Sequence, residues 1–204
     1  MDNFRLSFEF FPTKTEEGTQ KLFATRDKLA ELKPDFFSVT FGAGGSTRDH
    51  TMDVVSKMNA LDVSTAPHLS CIGQTKQSIK ELLNAYKEQG VNRIVALRGD
   101  LPSGMAASAG ELRYANELVE LIKEEHGDHF HLEVAAYPEM HPQAANFETD
   151  IDNFERKIKA GGDSAITQYF FNIDSYFYFV DRCLERGIES PIVPGIMPIT
   201  NYTK

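Results

Sequence analysis

Short apolar or alternating runs recur along the chain, separated by stretches whose apolar residues return every three or four positions. The first pattern is that of a strand, whose side chains alternate between two faces; the second is that of a helix lying on an apolar core. Strands are predicted over 6–11, 36–41, 65–71, 93–99, 131–137, 164–170 and 192–197. Three helical stripes stand out between them: Ile79, Leu82, Leu83 and Tyr86; Leu112, Ala115, Leu118, Val119 and Ile122; and Phe179, Val180, Cys183 and Leu184. Gly90, Gly127 and Gly187 sit where these helices should stop, as expected of a glycine just past a helix end.

Seven strands alternating with six helices, with no polar linker and no repeat beyond the βα unit, predict a parallel α/β sheet covered by helices. The natural closure is a (β/α)8 TIM barrel forming a single domain over 1–204. An open doubly wound sheet is the alternative, but its glycine-rich first turn is missing, since the first βα turn here reads Phe11-Pro12-Thr13-Lys14. A full barrel needs eight strands and about 250 residues, so a barrel truncated after the seventh strand, a fragment of a longer protein, is the expectation.

Composition narrows the partners. A formal net charge of −9 repels nucleic acid and anionic membrane surfaces on average, so an anionic ligand must be held by a local cluster of cations. Cys71 and Cys183 have neither disulfide-scaffold nor metal-site spacing, and no metal is expected. The chain opens without a basic and apolar leader and holds no run of eighteen apolar residues, which predicts a cytoplasmic protein.

In a TIM barrel the working residues project from the carboxyl ends of the strands and the loops after them. Alternation in Ser7-Phe8-Glu9-Phe10-Phe11 sends Glu9 away from Phe8 and Phe10, toward the barrel mouth. A carboxylate among phenylalanines is costly to desolvate as an anion, which raises its pKa and suits a general acid; an ordinary ion pair with a lysine or arginine is the competing reading. The run Gly42-Ala43-Gly44-Gly45-Ser46 could let backbone approach a ligand, or be a plain turn. His68 and Ser70 share one face of the third strand, where a lone histidine is more often a packing residue. Leu97-Arg98-Gly99-Asp100 puts a cation and a carboxylate at the rim, for a ligand or for a rim salt bridge. Two prolines stiffen Tyr137-Pro138-Glu139-Met140-His141-Pro142. In the helix that follows, Ile151, Phe154 and Ile158 should be buried, leaving Asp150, Asn153, Arg156 and Lys157 on the other face. Adjacent Arg156 and Lys157 could hold a pyrophosphate, or balance Asp152 and Glu155 in solvent. Gln168 offers an amide that donates and accepts, matching a heterocycle with an N–H beside a carbonyl.

Taken together, Ser7-Phe8-Glu9-Phe10-Phe11-Pro12, Ser38-Val39-Thr40-Phe41-Gly42-Ala43-Gly44, Leu97-Arg98-Gly99-Asp100, Ala135-Ala136-Tyr137-Pro138-Glu139-Met140-His141-Pro142, Ala165-Ile166-Thr167-Gln168-Tyr169-Phe170-Phe171 and Pro194-Gly195-Ile196-Met197-Pro198 resemble the methylenetetrahydrofolate reductase family, in the family's order. The resemblance implies a TIM barrel that binds FAD non-covalently. It would reduce 5,10-methylenetetrahydrofolate to 5-methyltetrahydrofolate by ping-pong hydride transfer from NADH or NADPH, in the one-carbon metabolism that feeds methionine synthesis. It implies Glu9 as the general acid and Asp100 as a catalytic and folate-binding carboxylate that also tunes the flavin. Gln168 would bind the pterin, and Thr40 the nicotinamide nucleotide. Flavin contacts are implied for Phe41, Ala43, His68, Arg98, Gly99, Asp100, Tyr114, Ala115, Tyr137, His141, Ala144, Asp150, Asn153, Arg156 and Lys157. A homo-oligomer is expected. The alternatives are another TIM-barrel flavoprotein or lyase acting on a small anionic substrate, and an inactive truncated barrel.

Overall fold

A computed structural model describes residues 5–13, 15–41, 48–59, 63–100 and 110–199. Ala43 and the glycine run around it lie outside the described residues. Contacts divide the chain into two units, Met1–His131 and Leu132–Lys204. The first contains β1 (Ser7–Phe10), α1 (Glu16–Ala30), β2 (Phe36–Val39), α2 (Arg48–Met58), β3 (Ser64–Ser70), α3 (Lys76–Glu88), β4 (Arg93–Leu97) and α4 (Ala115–His126). The second opens on β5 (His131–Ala136) and continues with α5 (Phe147–Lys159), β6 (Ser164–Thr167), α6 (Ile173–Glu185) and β7 (Ile192–Val193).

Within each unit, strands that follow one another in the chain pair in parallel, and a helix fills the gap between them. That repeat is the α/β architecture of a TIM barrel, as the periodicity predicts, with seven strands among the described residues. Helix boundaries follow local chemistry. Thr15, Thr75, Asn146 and Asn172 each accept a backbone N–H of the first turn through a side-chain oxygen, capping α1, α3, α5 and α6. Gly90, Gly127 and Gly187 have positive φ just past α3, α4 and α6.

One of the three predicted helical stripes is buried throughout and a second is buried apart from Ala115. Ile79, Leu82, Leu83 and Tyr86 are buried on α3, and Leu118, Val119 and Ile122 on α4, while Leu112 is buried ahead of α4 and Ala115 is half-buried. The third differs: Phe179 and Cys183 are buried on α6, Val180 is half-buried and Leu184 is 56% exposed. The buried arc of α6 is completed by Ile188 just beyond it, so the apolar face is narrower than the sequence suggests. Both cysteines are buried and unbonded. Among the described residues no helix is long and apolar enough to cross a membrane.

The register fixes which side chains share a face. In the first unit Glu9 lies beside Ser38, and Ser38 beside Ala66, while His68 lies beside Val95 on the same side of the sheet. On the opposite face Phe8 and Phe10 flank Phe37, with ring centroids 6.4 and 5.4 Å from it. Cys71, on that second side of the chain, reaches the carbonyl of Tyr114 at the start of α4, which marks it as the helix side. In the second unit Glu133 faces Ser164, whose Oγ donates to Glu133 Oε2 at 2.6 Å, and alternation carries Ala135, Tyr137, Ile166 and Gln168 to that face.

Candidate functional site

Glu9 is the last residue but one of β1, on the face away from the helices, with its side chain 45% exposed. Partial burial raises its carboxyl above the ordinary value. The physical reason differs from the one the sequence offers. Phe8 and Phe10 project from the other side of the strand, and Phe11 is 55% exposed, so the neighbouring rings do not enclose the carboxyl. Its surroundings come instead from β2 and β3. His68 Nε2 lies 3.4 Å from Glu9 Oε2, and no lysine or arginine pairs with Glu9 among the described residues. Burial pushes the His68 imidazole down to about 4, so it is neutral at physiological pH.

Two buried polar atoms on this face have no hydrogen-bond partner among the described residues: Thr40 Oγ1 and His68 Nε2. An unsatisfied buried polar atom costs about 1–3 kcal/mol, so such atoms on an open face are places where a ligand's donors and acceptors would be welcome. Phe41 follows Thr40 and is half-buried.

The loop after β4 is pinned to the end of β3. Ser70 Oγ and Ile72 N donate to the Arg98 carbonyl at 2.8 and 2.9 Å. Gly99 turns with φ +83°, and a Cβ there would fall 1.8 Å from Ser70 Oγ, so this approach admits only glycine. Arg98 Nε donates to Gly99 O at 3.2 Å, and Asp100 is exposed. The competing rim salt bridge between Arg98 and Asp100 is not formed. Tyr114, 59% exposed, and Ala115 begin α4, whose first turn is held by Glu117 Oε2 accepting from Arg113 N and Tyr114 N at 2.6 and 3.0 Å.

In the second unit four of the expected residues meet. Tyr137 and His141 pack edge to face at 4.6 Å, and Asp150 Oδ2 accepts from His141 N at 2.8 Å. The Lys157 ammonium sits 5.7 Å from the Tyr137 and Phe154 rings and donates to the Ala135 carbonyl. Ala144 closes the turn by donating its N–H to His141 O at 2.9 Å. The helical face expected to carry Asp150, Asn153, Arg156 and Lys157 together is therefore split. Asp150 is buried and the Lys157 ammonium is enclosed, while Asn153 and Arg156 are exposed and bonded to each other at 2.7 Å. Residues adjacent on a helix point about 100° apart, so Arg156 and Lys157 do not aim at one point. Asp152 pairs with Arg186 at 2.5 Å and Glu155 with Lys159, so the solvated-pair reading is not realised either.

Burial pushes Lys157 from 10.5 down to about 8, offset in part by Asp150. Between those two values the unfolded chain holds a proton that the folded chain has released, so this group's contribution to stability rises with pH across that window. Below about 8 both states are charged and the penalty is constant, about 3 kcal/mol. The buried thiols of Cys71 and Cys183, raised to about 11 and about 12, act in the opposite direction. The expected result is that Lys157→Met is stabilised relative to wild type at pH 7 and that the gap closes by pH 10.5. Urea titrations of both proteins from pH 7 to 10.5 read this difference; a constant gap would remove the buried ammonium from the account.

Gln168 is exposed beyond β6, its Oε1 accepting from Tyr169 N at 3.0 Å. Two residues to which the sequence assigned no role set this rim. Glu139 Oε1 accepts from Phe171 N and Asn172 N at 3.2 and 3.1 Å, tying the loop after β5 to the loop after β6. Thr167 Oγ1 accepts from Gly195 N at 2.9 Å, tying the loop after β7 to β6. Glu139 lies in the Pro138-Glu139-Met140 run, so its loop was visible in the sequence although its partners were not.

The family model described as methylenetetrahydrofolate reductase matches residues 1–204. The chain belongs to that family. It is 44% identical over 198 residues to the 5,10-methylenetetrahydrofolate reductase of Escherichia coli K12, covering 97% of this chain and 65% of that protein. It is 43% identical over 202 residues to the enzyme of the same name from Buchnera aphidicola of Schizaphis graminum, covering 98% of this chain and 68% of the relative. The match to methylenetetrahydrofolate reductase (NADH) 1 of Arabidopsis thaliana is 40% over 209 residues, covering 96% of this chain and 35% of that one. The chain thus spans about two thirds of the length of these bacterial members of the family. Among solved structures, a Clostridium thermocellum protein described as binding two copies of 5-methyl-5,6,7,8-tetrahydrofolic acid has a TM-score of 0.65 at 16% identity, over 93% of this chain and 65% of that one. A phosphoenolpyruvate phosphomutase from Streptomyces platensis subsp. rosaceus scores 0.63 at 12% identity, over 100% of this chain and 71% of that one. At such identities the likeness is one of fold. The methylenetetrahydrofolate reductase family therefore accounts for the ordered motifs.

Proposed function

We propose that this chain carries a flavin-dependent reduction of 5,10-methylenetetrahydrofolate to 5-methyltetrahydrofolate, with NADH or NADPH as reductant. The observation that carries the reading is Glu9, a half-exposed carboxyl with a raised pKa, on the same face as the unpartnered Thr40 Oγ1 and His68 Nε2. A carboxyl so placed keeps its proton closer to neutral pH than an ordinary glutamic acid and is exposed enough to meet a ligand. Family membership supports the reaction, and the Clostridium thermocellum protein's reduced folate supports the fold's capacity for such a ligand.

The residues suit a flavin. Thr40 brings a buried polar atom that lacks a partner among the described residues, Gly99 lets backbone approach without a side chain, and Arg98 supplies a cation of the kind that an acidic chain must hold locally for a pyrophosphate. FAD, when bound, supplies hydride acceptance from the nicotinamide and hydride donation to the folate. The chain's own residues handle the proton. The Glu9 O–H gives its proton to a ring nitrogen of the substrate, the carbon–nitrogen bond of the five-membered ring breaks, and Glu9 is left as a carboxylate. Gln168 carries two N–H donors that are free among the described residues, suited to the pterin carbonyl edge. The exposed Asp100 carboxylate would pair with the pterin's N–H groups.

The protein loaded with FAD is expected to be yellow, to bleach with NADH or NADPH in the absence of oxygen, and to recover its colour on adding methylenetetrahydrofolate. Anaerobic absorbance spectroscopy checks each step, and a protein that takes up no FAD would overturn the reading.

A further inference from the structure

Neighbouring parallel strands lie about 4.8 Å apart, so β1 and β3, separated by β2, are about 10 Å apart. Glu9 and His68 close that gap to 3.4 Å across the small side chains of Ser38 and Ala66. The 3.4 Å approach is an ion-pair distance and not a formed hydrogen bond, His68 Nε2 has no hydrogen-bond partner among the described residues, and its ring is buried while Glu9 is half-exposed. We propose that His68 is the positioning residue of the acid: its Nε2 holds Oε2 of the Glu9 carboxyl and leaves Oε1 to meet the substrate. This rests on the reading of Glu9 as the proton donor.

The pairing is chemically one-sided. Burial puts the imidazole at about 4 and raises the Glu9 carboxyl, so the ring is neutral and its Nε2–H can donate to Oε2 while the carboxyl carries its own proton on Oε1. The other charged groups on this side of the strands are Arg5, just ahead of β1, and Arg93 at the start of β4, whose guanidinium lies 4.6 Å from the Phe36 ring. Ser7, Ser38, Thr40, Ser64 and Ser70 are uncharged polar groups there.

His68→Leu, His68→Gln and Glu9→Gln test the assignment in the FAD-loaded protein. The Glu9 carboxyl is followed by carbon-13 NMR as a function of pH, identified by its loss in Glu9→Gln. Its midpoint should move by about half a pH unit or more in His68→Leu and return toward wild type in His68→Gln, whose amide nitrogen replaces Nε2. In Glu9→Gln the His68 ring nitrogens should shift while the other histidines do not, a readout that does not depend on how well a leucine packs at 68. For folate reduction, kcat should fall about tenfold in His68→Leu with KM nearly unchanged, and His68→Gln should recover most of it. Unmoved Glu9 and His68 resonances in these variants would overturn the proposal. If both resonances respond but the protein reduces no methylenetetrahydrofolate, the contact stands and the proposed reaction falls instead.

Discussion

Glu9→Gln is expected to slow reduction of methylenetetrahydrofolate by about a thousandfold while oxidation of the nicotinamide stays within about threefold of wild type, since general acid catalysis contributes 10²–10⁴ and only the folate step needs a proton from this residue. Glutamine keeps the size and the hydrogen bonding of the side chain, so the loss reads the proton and not the packing. The two half-reactions can be timed separately by stopped-flow absorbance of the flavin. Equal loss in both would mean that position 9 serves the fold or the flavin. A loss confined to the folate step, with its acid limb displaced, would place the donor where the strand register puts it, beside Ser38 and within reach of His68.

The second large effect is expected at Gly195→Ala. A Cβ at this position would stand 2.2 Å from the Thr167 carbonyl oxygen, a backbone atom at the end of β6 that cannot swing away as a side chain can. The substitution must push the loop after β7 off β6 and break the bond from Gly195 N to Thr167 Oγ1. Overpacking of this kind costs about 1–3 kcal/mol and the lost bond about 1 more, so a loss of about 3 kcal/mol is expected in a urea titration. Gly187→Ala is the control: nothing lies within 4 Å of a Cβ there, and only its φ of +73° is strained, at about 1 kcal/mol. A loss at Gly195 no larger than at Gly187 would show that the loop is free to move. Because the Thr167 carbonyl that the added Cβ strikes is bonded directly to Gln168, KM for the folate should also rise, through displacement of Gln168.

How the expectations fared follows from what each depends on. The predicted strands run past the observed ones at their carboxyl ends, as in 93–99 against Arg93–Leu97 and 164–170 against Ser164–Thr167. Tyr169 and Phe170 look like strand, and Arg98-Gly99 and Gln168 directly continue strand-like runs, yet the backbone leaves the ladder: Gly99 turns with positive φ, and Gln168 folds its amide onto the next residue's N–H. The raised pKa of Glu9 was legible in its sequence, but for an incomplete reason. Alternation alone already sends Phe8 and Phe10 to the far side, so the cost of ionising Glu9 depends on β2 and β3, which come from residues about thirty and sixty positions away. The split of Asp150 and Lys157 from Asn153 and Arg156 could not be read from spacing, because a long lysine can carry its ammonium over the neighbouring rings to a strand-end carbonyl.

By itself the sequence determined the βα repeat, the helix ends and the candidate residues, since periodicity, capping side chains and glycine placement act over a few neighbouring positions. It also held the motifs that place the chain in its family. Only the tertiary structure decided that His68 meets Glu9, that Ser70 and Gly99 lock two loops together, that Glu139 ties two more, and that Lys157 turns inward. Each of those contacts joins residues on different elements, and its energy depends on distances and burial that no local pattern in the chain encodes.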